Sequence, residues 1–251
     1  MATTAAAAPE PQPIGIIGRL TGVLFNPKNT FADITRRPTW VMPLILLCVL
    51  SVIITAIFTQ RVGWHAFMEK QIAQSKSAQA QMENMTPEQR EQILDQRAKY
   101  APYFGYIIGP IAIFVSAIVV AGLFLGAFNV MAGAELNFKT ALAIVSFSWV
   151  PGLIGQLLGI VLLYIKSPET IDLQNLVASN VGALMSSDSP RWLVSLCTSI
   201  DVFSFWTIFL LATGFSVARP KKISMGRAYG VVVGLWLLYV VIKVGWAAIF
   251  S

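Results

Sequence analysis

Charge is what this sequence has least of. Asp, Glu, Lys and Arg together make up 12% of its 251 residues, about half the share of a soluble domain. Half the usual charge cannot coat a globule of this size in water, and 56% of the residues are hydrophobic. The class is therefore an integral membrane protein with an all-α fold. Histidine is nearly absent. His65 is the single one, which removes any multi-histidine metal site. Cysteine is scarce too: Cys48 and Cys197 stand alone in apolar segments, without CxxC spacing, and read as small buried hydrophobes. No disulfide, metal centre or cofactor is expected. Enzyme signatures are missing as well, with no GxSxG, P-loop, HExxH or strand-borne GxGxxG. The expectation is a chain without catalytic residues, and the net charge of +6 is read loop by loop rather than as a nucleic-acid signal.

Long apolar runs are what the chain does have. Five are long enough to cross about 30 Å of hydrocarbon: roughly 41–60, 104–131, 139–165, 192–218 and 228–250. Short connections after the second and fourth make those pairs antiparallel neighbours. The start, MATTAAAAPEPQP (1–13), reads as a disordered tail. Residues 14–39 read as an interfacial amphipathic segment, with one helix ending at Asn26-Pro27 and a short helix near Thr30–Thr35. The five-span membrane domain then fills 40–251, interrupted by a polar helical insert at 61–102. In that insert Thr86, Pro87 and Gln89 match a capping box with proline at the first helical position, and Glu91 and Asp95 follow four apart.

Basic residues in short loops set the expected orientation. Arg19, Lys28, Arg36 and Arg37 precede the first span, and Arg219, Lys221, Lys222 and Arg227 join the fourth to the fifth. With five spans both groups lie on one side, read as cytoplasmic, where Arg36, Arg37, Arg219, Lys221, Lys222 and Arg227 form a basic anchor. The connection with Glu169, Asp172 and Asp188, the insert and the C-terminus lie outside. The insert carries six basic and five acidic residues, so it adds little to the signal.

Three features inside the spans invite a functional reading. Asp201 and Lys243 are the ionisable residues deepest in apolar runs, at matching depth on neighbouring spans, and are expected to form an intramembrane ion pair. The competing readings are snorkelling to the interface, a proton or ion relay, or a partner-binding contact. Gly105 and Gly109, Gly122 and Gly126, Gly155 and Gly159, and Gly230 and Gly234 repeat at the small-xxx-small spacing that lets membrane helices approach. Pro151-Gly152 interrupts the third span as a helix kink. Matching breaks and nearby charges accompany the broken helices of transporters, and neither is present, so the kink is expected to shape packing or a partner-binding groove.

Three segments resemble bacterial members of the Yip1-domain family: LFNPKNTFADITRRPTWVMPLILL, FKTALAIVSFSWVPGLIGQLLGIV and LLATGFSVARPKKISMGRA. Together they cover most of residues 20–251 outside the insert. The Asp-Leu-Tyr-Gly-Pro motif of eukaryotic members is absent, so their link to Rab-type GTPases is not carried over. The resemblance implies a five-helix transmembrane bundle in the bacterial cytoplasmic membrane, with no known catalytic residues. Its implied context is a partner membrane complex such as an ABC-type export system. The leading expectation is thus a non-catalytic scaffold or accessory subunit, bound to the lipid bilayer and to a membrane-protein partner or to copies of itself. The alternative is a small transporter or channel using Asp201 and Lys243.

Overall fold

The structure, a computed structural model, describes residues 12–73, 76–171, 173–186 and 189–249. The expected tail (1–13) falls almost wholly outside these, as do Asp172 and Asp188. The described residues are helical throughout, apart from turns and one isolated bridge between Asn180 and Asp201.

Two short helices open the chain, α1 (Ile16–Phe25) and α2 (Pro27–Arg36). Pro27 has no N–H to continue α1 and fits the first turn of α2, so the break falls where the sequence puts it. The pair does not simply lie on an interface. Val23, Phe31 and Ile34 are fully buried against α8 (Phe138–Ser148) and α11 (Val202–Ala218), while Ile17 and Phe25 stay exposed. Arg19 joins the two helices. It is 4% exposed, its Nε donates to Asp33 Oδ2 at 2.7 Å, and its Nη1 donates to Arg37 O at 3.1 Å and Thr39 Oγ1 at 2.7 Å. A positive charge counted for topology is therefore a buried staple.

Among the described residues four helices are long and apolar enough to cross a membrane: Val41–Arg61 (α3), Pro87–Ala132, Phe138–Ile165 and Met225–Ile249 (α12). Between α3 and the second of these lie α4 (Trp64–Ala73) and α5 (Lys76–Glu83). The second is one continuous rod of 46 residues. It begins in the polar insert as α6 (Pro87–Tyr103), passes through a π-helical turn at Phe104–Ile108, and continues as α7 (Gly109–Ala132). Pro102 and Pro110 bracket that turn, and removal of their N–H donors is the reason the ladder widens there. Thr86 and Gln89 form the reciprocal capping box at the start of α6, with the Gln89 amide donating to Thr86 Oγ1 at 3.3 Å and the Thr86 amide to Gln89 Oε1 at 3.0 Å.

Phe138–Ile165 comprises α8 (Phe138–Ser148) and α9 (Val150–Ile165), bent at Trp149 (φ −88°, ψ 0°). Every residue from Thr140 to Ser148 is buried, which makes α8 the centre of the bundle. α7, α11, α2 and α3 surround it.

The expected fourth span, 192–218, is not one helix. It divides into α10 (Arg191–Cys197) and α11 (Val202–Ala218). At 17 residues and ~1.5 Å per residue, α11 reaches about 25 Å, short of a ~30 Å hydrocarbon core. Asp201 causes the division. It takes extended geometry as the N-cap of α11, and its Oδ1 accepts the Ser204 amide at 3.0 Å. Aspartate is among the best N-cap residues. An acid that hydropathy averages into a span is where the helix begins.

Candidate functional site

A cleft of about 650 Å³ is bounded by α3, α7, α9, α11 and α12. Its wall is mostly apolar, with Trp149, Gly152, Gln156, Asp201, Ser204 and Thr207 as polar or irregular points. The bend at Trp149 shapes one side. The Trp149 amide reaches back to Ser146 O at 3.3 Å, in the short i to i−3 register, and Pro151 follows in the first turn of α9. Ser146 Oγ donates to Leu142 O at 2.7 Å rather than to the Phe147 carbonyl that the proline frees, and Ser148 Oγ is buried without a partner. Gly152 lines the cleft beside Leu47, where a Cβ would make ordinary contact with Leu47 Cδ2 at 3.6 Å. One turn on, Gln156 Oε1 is likewise buried without a partner.

Asp201 and Lys243 are brought to the same end of the bundle but not to each other. Lys243 Nζ donates to Thr198 Oγ1 and Ser199 Oγ, both at 3.0 Å. Asp201 gives one oxygen to its helix cap and accepts the Ser179 hydroxyl on the other. No ion pair joins them among the described residues, which corrects the expectation of mutual charge compensation. The reason is local. Unwinding at 198–201 exposes hydroxyls and a cap amide closer to each charge than the opposite charge is. Backbone bonds from Val181 N to Ile200 O and Val202 N to Ser179 O, both 3.2 Å, fasten the 166–190 connection over this end.

At the opposite end the basic residues converge. Arg219 Nε and Nη2 donate to the carbonyls of Ala134 (2.9 Å) and Glu135 (3.0 Å), and Lys222 Nζ to that of Gly133 (2.6 Å). Lys222 Nζ also lies 3.2 Å from Glu135 Oε1, and Arg227 Nη1 donates to Lys222 O at 2.6 Å. The α7–α8 turn is thus clamped by the α11–α12 turn. Asn129 completes the clamp, its amide exchanging two bonds with the Leu136 backbone at 3.0 and 2.8 Å. Arg36 and Arg219 line a common polar hollow of about 330 Å³ with Thr35, Asn137 and Thr140. Arg37 contributes its carbonyl to Arg19, and Lys221 is exposed beside Lys222.

The glycine pairs divide cleanly. A Cβ on Gly105 would meet Thr55 at 2.5 Å, one on Gly155 would touch Phe203 at 3.5 Å, one on Gly159 Leu176 at 3.2 Å, and one on Gly109 Ser51 at 3.7 Å. These four carry packing within the chain. Gly122, Gly126, Gly230 and Gly234 have nothing within 4 Å and stand exposed on α7 and α12. Spacing alone gives a helix face but not its direction, and these four glycines face away from the rest of the described chain. Two close approaches outside this motif carry packing as well. Gly22 sits against Thr30, and a Cβ on Gly214 would meet Ile144 at 2.6 Å and Phe31 at 3.1 Å.

Comparison with curated proteins and with solved structures finds no match. The family model for the Yip1 domain matches residues 21–247. That stretch contains α2, the clamped turns, the bent α8–α9 pair and the cleft, and with it matched nearly end to end this chain belongs to the Yip1-domain family of membrane proteins.

Proposed function

We propose that this chain is a non-catalytic membrane scaffold that holds another membrane protein against the lipid-facing sides of α7 and α12. The observation that carries the reading is the division of the glycines. Four are consumed by internal contacts, and four are left exposed where no side chain of the chain approaches. In lipid there is little hydrophobic force between helices, so surfaces that admit a close backbone are what association uses. The cleft lies between these same two helices, through Val120 and Leu123 of α7 and Val232 and Trp236 of α12. An ABC-type export system in the bacterial cytoplasmic membrane is the partner class the family resemblance favours. With the N-terminus and the basic turns in the cytoplasm, and α10 and α11 together making the fourth crossing, the insert and C-terminus face outside.

The test is co-purification in mild detergent from the native membrane, comparing the wild type with Gly122→Leu/Gly126→Leu and with Gly230→Leu/Gly234→Leu. The reading expects a stoichiometric membrane partner that at least one pair of substitutions releases while the melting temperature holds. Retention of the partner by both variants sinks it.

A second reading, a small transporter or channel, draws on the cleft reaching Asp201 and the unpartnered Gln156. It requires solute flux in reconstituted vesicles that Gln156→Leu and Asp201→Asn reduce. Vesicles with no flux above protein-free controls eliminate it.

A further inference from the structure

The chain's one histidine does not stand alone in space. His65 is the second residue of α4, just after Gly63 turns the chain in left-handed geometry (φ 79°). Trp64 fixes that start, its Nε1 donating to Thr59 Oγ1 at 2.8 Å and its ring packing on Phe58 at 4.9 Å and Phe67 at 6.0 Å. α4 lies along α6, and Glu91 and Asp95, one helical turn apart on α6, share a face. His65 Nε2 lies 3.3 Å from Glu91 Oε1 and 3.6 Å from Asp95 Oδ1, and the ligand atoms of all three residues lie within 4.8 Å of one another.

Nε2 is closed off from solvent and makes no hydrogen bond, although the ring as a whole is 40% exposed. Three atoms able to donate electron pairs therefore converge on one point with no hydrogen bond made at Nε2. A cation between them resolves the arrangement. Bond lengths of about 2.0–2.2 Å at a tetrahedral angle put ligand atoms roughly 3.3–3.6 Å apart, which is the spacing His65 makes with each carboxylate. The two carboxylates offset a double positive charge. Imidazole nitrogen selects zinc-like ions over magnesium and calcium, which take oxygen. The carboxylates are 64% and 69% exposed, so a water can complete the coordination and the ion has a path in.

We propose that His65, Glu91 and Asp95 form a site for one divalent transition-metal ion of the zinc class, joining α4 to α6 in the polar insert. A bound ion makes the insert a closed helical hairpin. Without one, two carboxylates face each other across the imidazole and the hairpin is loosened at its foot. This site is independent of the lipid-facing glycine surfaces.

The experiment uses the full chain in detergent, carrying a histidine-free tag and stripped of metal. Zn²⁺ binding is followed by calorimetry and Co²⁺ binding by visible absorption. The expected result is one equivalent bound, with a tetrahedral Co²⁺ spectrum. His65→Ala and the double variant Glu91→Gln/Asp95→Asn should each weaken it by on the order of a hundredfold or more, since even the loss of groups behind metal ligands costs 10–100-fold. Glu88→Gln, on the same helix outside the cluster, should bind as the wild type does. His65→Cys keeps a ligand in place and should bind Co²⁺ with a new thiolate absorption band, which separates loss of the site from loss of the fold. The proposal fails if no saturable one-equivalent binding occurs below about 100 μM, or if His65→Ala binds as tightly as the wild type. It also fails if the cluster responds to pH alone, which would make a proton the occupant.

Discussion

Removing the Arg19 side chain should destabilise the protein more than removing any other charge on it. Arg19 is 4% exposed, and its guanidinium serves Asp33, the Arg37 carbonyl and the Thr39 hydroxyl at once. Asp33 is only 14% exposed at its side chain. Arg19→Met therefore leaves a desolvated carboxylate without its counter-charge, a change that costs about 3–5 kcal/mol. In a domain of this size ~1 kcal/mol moves the melting temperature by about 2–4 °C, so a fall of roughly 6–20 °C is expected. Asp33→Leu should cost less, because Arg19 keeps the Arg37 carbonyl and the Thr39 hydroxyl. The double variant Arg19→Met/Asp33→Leu should recover most of the loss, since a well-packed apolar pair often matches a buried ion pair. Tryptophan fluorescence on heating, in one detergent and at one scan rate because unfolding can be irreversible, measures all four proteins. Single variants within about 2 °C of the wild type, or a double variant as poor as the sum of the singles, would refute the reasoning.

Three further outcomes follow from geometry already described. Asp201→Asn should leave stability nearly unchanged, because asparagine caps helices as well as aspartate, while Asp201→Ala should lose about 0.5–2 kcal/mol; equal losses in thermal melts would show that the charge, not the cap, matters. Gly214→Ala should cost about 1–3 kcal/mol by overpacking against Ile144 and Phe31, whereas Gly126→Ala in α7, with open space around it, should be neutral or stabilising on propensity grounds. The reverse order in the same melts contradicts the assignment of inner and outer faces. Glu135 is the one non-glycine residue with positive φ among those described (52°), at a strain of about 1–2 kcal/mol. Its ion pair with Lys222 is solvent-exposed (42% and 81%) and contributes at most about 1 kcal/mol. Glu135→Gly should therefore raise stability slightly, and a clear loss would assign the clamp more electrostatic energy than an exposed pair carries.

How legible each feature was depended on whether its signal is local. The break at Asn26-Pro27 and the Thr86–Gln89 capping box rest on residues within a few positions of each other, and the sequence displays them outright. Hydropathy also locates α3, α7, α8–α9 and α12. It fails at 198–201, because averaging over a window cannot tell an acid inside a helix from one that starts it. The Asp201–Lys243 pairing failed for a related reason: depth along two spans says nothing about hydroxyls that unwinding brings nearer. Glycine spacing marks a face of α12 as well as one of α9, but which face meets the rest of the chain is a tertiary fact. Arg19 with Asp33, and His65 with Glu91 and Asp95, join residues 14 to 30 positions apart through helix packing. One hint was available in each case, a lone acid among the basic residues of 14–39 and a lone histidine ahead of an i, i+4 acidic pair.

The unbroken course of Pro87–Ala132 has a mechanical consequence. At ~1.5 Å per residue its 46 residues span about 69 Å, more than twice the ~30 Å of hydrocarbon. The second membrane span and the polar insert are therefore one lever arm, and a push on the insert at Thr86 is delivered inside the bilayer without any flexible loop to absorb it. The one irregular turn described along it, the π turn at Phe104–Ile108, lies where the polar arm meets the apolar one. Whatever pulls on the polar insert acts on the same helix that bears Gly122 and Gly126.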